Sequence, residues 1–143
     1  MRKILLLLAL FIFAPIKVWA AQPDISAAVS IFGECVATSL ADTSATVIVN
    51  NAASSDDVYR VTRIMVANDD GTNSADITLA LHPQDDGGGT GVQFASTIAV
   101  PADSTLIVIN GSPVYVQEDE SIVATASAGG DLNVIACYEE ITD

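Results

Sequence analysis

Cations, histidine and helical periodicity are what this chain has least of. Five lysines and arginines stand against 18 acidic residues, with one histidine. That histidine, His82, precedes Pro83 at the edge of a Gly- and Asp-rich stretch, a poor place to hold a general base. No nucleophile elbow, HExxH or P-loop is present. A zinc site needs several His or Cys ligands, and there are two cysteines. Adjacent carboxylates such as Asp56-Asp57, Asp69-Asp70, Asp85-Asp86 and Glu139-Glu140 do not show the two-carboxylate geometry of a glycosidase. The expectation is a protein that is not an enzyme. No stretch beyond the N-terminal segment has helical amphipathicity, and no internal repeat occurs.

The N-terminal segment reads as an export signal. Arg2 and Lys3 begin it, Ile4 to Ala14 form an apolar run, Pro15 breaks it, and Val18-Trp19-Ala20 supplies small residues for cleavage between Ala20 and Ala21. The run is shorter than the roughly 20 residues that span a bilayer. No cysteine lies just after the cleavage point, so a lipid anchor is not expected. Removal of residues 1–20 leaves Arg60 and Arg63 against all 18 acidic residues, hence a formal charge of −16 and no lysine. Such a chain repels nucleic acid and anionic membranes. No long acidic run occurs, so the charge is spread over a folded body, and residues 21–143 suit one domain. The expected location is secreted or periplasmic. An even cysteine count in an exported chain predicts a Cys35–Cys137 disulfide joining the first strand to the last, with two buried free thiols as the alternative.

Beyond the signal the pattern is strand, turn, strand. The expected strands are Ala45 to Val49, Val58 to Asn68, Ala75 to Leu81, Val92 to Val100, Leu106 to Ile109, Val114 to Val116, Ser121 to Ser127 and Leu132 to Tyr138. Ile77, Leu79 and Leu81 alternate with polar or small residues, as in a half-buried strand. Arg60 and Arg63 lie an odd number apart, so a regular strand would turn them to opposite faces, a conclusion a bulge would remove. The segments on either side of Asp69–Ser74 are expected to form a hairpin, and His82 to Gly91 an exposed, mobile loop. Short strands separated by Gly, Pro, Asn and Asp predict an all-β fold, a single antiparallel β-sandwich or jelly roll.

Calcium is the one cofactor the composition invites, because it takes oxygens from carboxylates and carbonyls on loops. Asp69, Asp70, Asn73 and Asp76 supply such oxygens around one turn, and Asp85 and Asp86 in the Gly-rich loop. Neither has EF-hand spacing, and ordinary turn chemistry accounts for the same residues. Gly88-Gly89-Thr90-Gly91-Val92-Gln93 resembles one calcium β-roll repeat, with Gln93 where the aspartate belongs. Asn110-Gly111-Ser112 fits the N-glycosylation pattern, but Asn-Gly before Pro113 reads better as a turn. Tyr59, Tyr115 and Tyr138 fall on expected strands, where half-buried tyrosines are usual and a sugar-binding face is the sharper alternative.

From Val58 onward the chain resembles a family of small virion structural proteins of marine bacteriophages. The resemblance is carried by Ile64 to Asp76 (IMVANDDGTNSAD), Ile98 to Leu106 (IAVPADSTL), Gly111 to Ser121 (GSPVYVQEDES), Ser127 to Leu132 (SAGGDL) and Cys137 to Ile141 (CYEEI). It implies a β-sandwich decoration, tail or fibre subunit, virion-associated, and supplies no catalytic residues. The export signal and cysteine pair fit an oxidising compartment better than cytoplasmic assembly. The resulting expectation is an exported structural or attachment protein acting through self-association or contact with virion or cell-surface proteins. Unpaired edge strands or a swapped N-terminal strand would make the contacts, with Ile25 to Phe32 the natural candidate. A secreted calcium- or carbohydrate-binding module is the alternative.

Overall fold

The computed structural model describes residues 25–142; the expected export signal, with its expected cleavage between Ala20 and Ala21, lies outside the described residues. Eight strands account for most of them: β1 (Ser30–Leu40), β2 (Thr46–Asn51), β3 (Asp57–Asn68), β4 (Ala75–His82), β5 (Val92–Val100), β6 (Thr105–Val116), β7 (Glu120–Ala126) and β8 (Leu132–Thr142). Helical geometry among the described residues is confined to two 3-10 turns, Ile25–Ala27 and Asp85–Gly87.

The pairing is nested. β1 pairs with β8, β2 with β7, β3 with β6 and β4 with β5, all antiparallel. One sheet has the order β1-β8-β3-β6 and the other β2-β7-β4-β5. A four-strand-long hairpin folded over itself in this way is a jelly roll, so the fold is the all-β sandwich expected from the turn spacing. The expected hairpin between β3 and β4 does not form. β3 lies in the first sheet and β4 in the second, and the turn at Asp69–Ser74 carries the chain across the sandwich. The stretches Leu106 to Ile109 and Val114 to Val116 are one strand, β6, and the Asn-Gly-Ser-Pro turn between them is absorbed as an irregularity in its pairing with β3.

The core fills the space between the sheets. Leu40, Val61, Ile64, Val66, Leu132 and Val134 meet Ile77, Leu79, Val100 and Ile122, all essentially inaccessible to water. Two buried asparagines tie the sheets where the chain crosses between them. Asn51, at the end of β2, donates from Nδ2 to Asp57 O (2.8 Å) and Val116 O (3.2 Å) and accepts from Ser55 Oγ (2.6 Å). Asn68, at the end of β3, donates to Asn73 O (3.0 Å) and Val100 O (2.9 Å) and accepts from Asp70 N (3.0 Å). A neutral amide serves here because it offers donors and an acceptor without burying charge.

Truncating Leu79 to alanine opens a cavity in this core and should cost about 3 kcal/mol in denaturant unfolding. Asn68→Ala should cost about 2 kcal/mol by the same measurement, because it orphans the buried Val100 carbonyl and the part-buried carbonyl of Asn73.

Candidate functional site

Cys35 and Cys137 face each other across β1 and β8 and form a disulfide, with Cα atoms 4.0 Å apart and 102 residues between them in sequence. The short Cα separation marks a non-hydrogen-bonded cross-strand pair. The bond lies on the outer face of the first sheet, because Val134, Ala136 and Tyr138 point inward between the positions of Ile135, Cys137 and Glu139.

That outer face collects the charge minority. Arg60 stands opposite Glu139, and Arg63 opposite Cys137. Both arginines therefore share one face, contrary to the alternation of a regular strand. The cause is a bulge between Val61 and Arg63 that inserts Thr62 against β8. Arg60 Nη1 bonds Glu139 Oε2 at 2.6 Å, a part-exposed ion pair that solvent screens. Next along the face, Ala37, Ile135, Met65 and Ile107 line up across all four strands. Ile107 and Ile135 in this row are exposed.

β1 is the edge of this sheet, and its edge is open. Its eleven residues pair with β8 from Ser30 to Leu40 without a register shift. The other three edges are broken. The pairing of β2 with β7 shifts between Val47 and Val49, that of β5 with β4 shifts twice, and that of β6 with β3 shifts twice. In each case the extra residues lie on the edge strand itself. Such bulges twist an edge away from further pairing. Apolar side chains flank the unbroken edge, with Val29, Ile31 and Phe32 at 81%, 60% and 63% exposure.

The inner face at the start of β1 holds an aromatic and acidic corner. Tyr59 and Tyr138 stack at 4.8 Å. Tyr138 Oη donates to Glu34 Oε2 at 3.2 Å. Burial, then the nearby Glu34 carboxylate, hold the Tyr138 phenol far above its usual range, and burial with Glu140, Asp57 and Glu34 raises that of Tyr59. Glu140 is raised by burial first, then by Asp57 and Glu34. Asp57 Oδ1 is buried without a hydrogen-bond partner.

The carboxylates considered for calcium are spread over separate turns. Asp70 accepts from Thr72 N (2.8 Å) and Asn73 Nδ2 (3.0 Å), and these bonds, that from Asn73 foremost, lower its pKa. Asp69 Oδ2 accepts from Asn133 Nδ2 (3.0 Å), while the Asp76 backbone N–H donates to Ser127 Oγ (2.7 Å). Asp85 Oδ2 accepts from Ala53 N (3.2 Å) and Asp86 Oδ1 from Asn50 Nδ2 (3.2 Å). Among the described residues no group of three or more His, Cys, Asp or Glu is placed to hold a metal ion.

The loop expected to be mobile is instead tied down. Asp86 N donates to Asn50 Oδ1 (2.7 Å), Gly87 N to Ser121 Oγ (3.0 Å), and Ser121 Oγ to Gln84 O (2.8 Å). His82 Nδ1 lies 3.2 Å from Gly88 O, and a Cβ on Gly91 would collide with the His82 ring. His82 is thus a brace for this loop. Asn110 faces Arg63 from within β6, with its Oδ1 3.5 Å from Nη2. The two corner tyrosines are part of the packing, whereas Tyr115 is exposed on β6 beside Arg60.

No family model matches this chain, and no curated protein matches it either. Among solved structures it is similar to a chain of the Bacillus endospore appendages, described as a novel family of disulfide-linked pili. The identity is 19%, over 79% of this chain and 87% of that one, with a TM-score of 0.48. That likeness is too loose to carry fold or function across.

A raised carboxyl pKa means that its folded-state charge is unfavourable. Glu140 therefore contributes stability while protonated and loses it as pH rises through its folded value. Glu140→Gln, whose amide can donate to Asp57, should melt above the parent at neutral pH, with the gap closing toward pH 4 in thermal scans.

Proposed function

We propose that this protein is a non-enzymatic, exported structural subunit that works by self-association through the open edge of its first sheet. The carrying observation is the contrast between edges: β2, β5 and β6 are bulged, whereas β1 runs unbroken with apolar residues exposed along it. An edge of this kind recruits another strand by main-chain hydrogen bonding. The cross-strand disulfide supports a location outside the reducing cytoplasm, since such bonds persist in oxidising compartments. No helix among the described residues is long and apolar enough to cross a membrane.

The finer form of the reading is a subunit of a particle or surface assembly, in line with the resemblance to phage virion proteins. Calcium belongs to the alternative reading, a secreted binding module. A rise in melting temperature on adding calcium, reversed by chelation, is the expected sign.

Association must overcome the repulsion of strongly acidic copies, so it should strengthen with ionic strength. Sedimentation velocity over a range of protein and salt concentrations is expected to show an associated fraction that rises with both. A monomer under every condition would rule the proposal out.

A further inference from the structure

Resting on that reading, we infer that the strand added to β1 is β1 of a second copy. It runs antiparallel about a two-fold axis through Cys35, so that two first sheets become one eight-stranded sheet.

Strands join over a long stretch only where their outward N–H and C=O groups keep the same two-residue step. The bulges place extra residues on β2, β5 and β6, so their outward groups fall out of step. Among the described strands only β1 offers an unbroken edge, and the edge that matches β1 is therefore another β1.

The disulfide sets the register. Because Cys35 and Cys137 form a non-hydrogen-bonded pair, the backbone N–H and C=O of Cys35 point away from β8. By alternation those of Ile31, Gly33, Ala37 and Ser39 do the same. The Val29 N–H bond to Thr142 O (2.8 Å) closes the far end of the pairing with β8. An axis at Cys35 sets Ile31 against Ser39 of the second copy, Gly33 against Ala37, and Cys35 against itself, so every outward group finds a partner. Moving the axis to Glu34 would set two carboxylates directly opposite each other, which is destabilising. Axes further along leave some of the outward groups unpaired.

The strand chemistry fits a self-joint. Glu34 is the single charged residue on β1, and neither proline nor lysine interrupts it. The join places Phe32 beside Thr38 of the second copy and Glu34 beside its Val36, so it covers apolar surface with little charge apposition. A contact of this symmetry uses the same patch on both copies and closes at two.

The test is residue-resolved amide hydrogen exchange on the full chain, secreted under its own N-terminal segment, across the concentration range of association. As a dimer forms, the amides of Gly33, Cys35, Ala37 and Ser39 should slow by about tenfold or more. Those of Glu34 and Val36, already bonded to β8, should be slow throughout. Ala37→Pro removes an outward N–H that β8 does not use and should give a monomer. If that variant misfolds, the exchange pattern of the parent decides. A dimer whose odd-numbered β1 amides stay fast overturns this pairing but leaves self-association standing. Growth past two copies with those amides protected overturns the closed two-fold. A monomer at all concentrations overturns both readings.

Discussion

The joint between β1 and β8 governs what this molecule can present to others. β1 is the outermost strand of its sheet and is exposed over most of its length, with Leu40 its fully buried anchor and Val36 packed partly against the core. Burial that sparse holds a strand weakly, because each ordered residue costs about 1–2 kcal/mol of backbone entropy. The Cys35–Cys137 bond supplies what burial does not. It closes a separation of 102 residues, for which chain-entropy reasoning gives roughly 4–5 kcal/mol. It also sits at the midpoint of the strand, so it fixes the register on both sides. The same residue that locks β1 to β8 sends its backbone groups toward the open side. An unbroken edge persists here because a covalent bond keeps it from peeling away.

The remaining edges show how the fold avoids unwanted pairing. Lysine is a common guard on edge strands, and no described residue is a lysine. β2, β5 and β6 carry no charge at all. Their protection is geometric. Thr97 on β5 adopts a positive φ of 47°, and Gly111 on β6 one of 79°, both within stretches where register is lost. The buried asparagines belong to the same economy of charge: Asn51 and Asn68 satisfy the crossing carbonyls with neutral amides where a carboxylate would need a buried counterion. With so few cations, turns and edges are shaped by glycine, asparagine and bulges.

Much of this is legible in the sequence, and the failures have a common cause. Strand positions come from alternation such as that of Ile77, Leu79 and Leu81, because one face of each strand meets the core. The disulfide comes from compartment and count. Sheet membership is not legible: Asp69 to Ser74 has the composition of a hairpin turn, yet it crosses the sandwich, because turn chemistry does not encode which sheet the next strand joins. Bulges are hidden for a related reason. Thr62 is an ordinary strand residue, and only its pairing with β8 makes it the extra one that brings Arg60 and Arg63 to one face. The regularity of β1 is likewise a property of the pair, visible only once its register with β8 is known. The loop after His82 looks free in sequence because its partners, Asn50 and Ser121, lie far away along the chain.

Acidity bears on any contact between copies of this fold. Copies with so large an excess of carboxylates repel one another in most orientations, which suppresses casual contact. The described cations that offset this lie on the first sheet. Its outer face holds both described arginines, partly offset by Glu139, and its open strand holds one carboxylate. Contact through that strand would bury apolar side chains and satisfy main-chain groups while bringing few charges together. Contact through the turns of the second sheet would bring Asp85, Asp86, Glu118 and Asp119 against their own kind. Charge thus weighs against the turns of the second sheet, and it is edge geometry that sets β1 apart from the uncharged β2, β5 and β6.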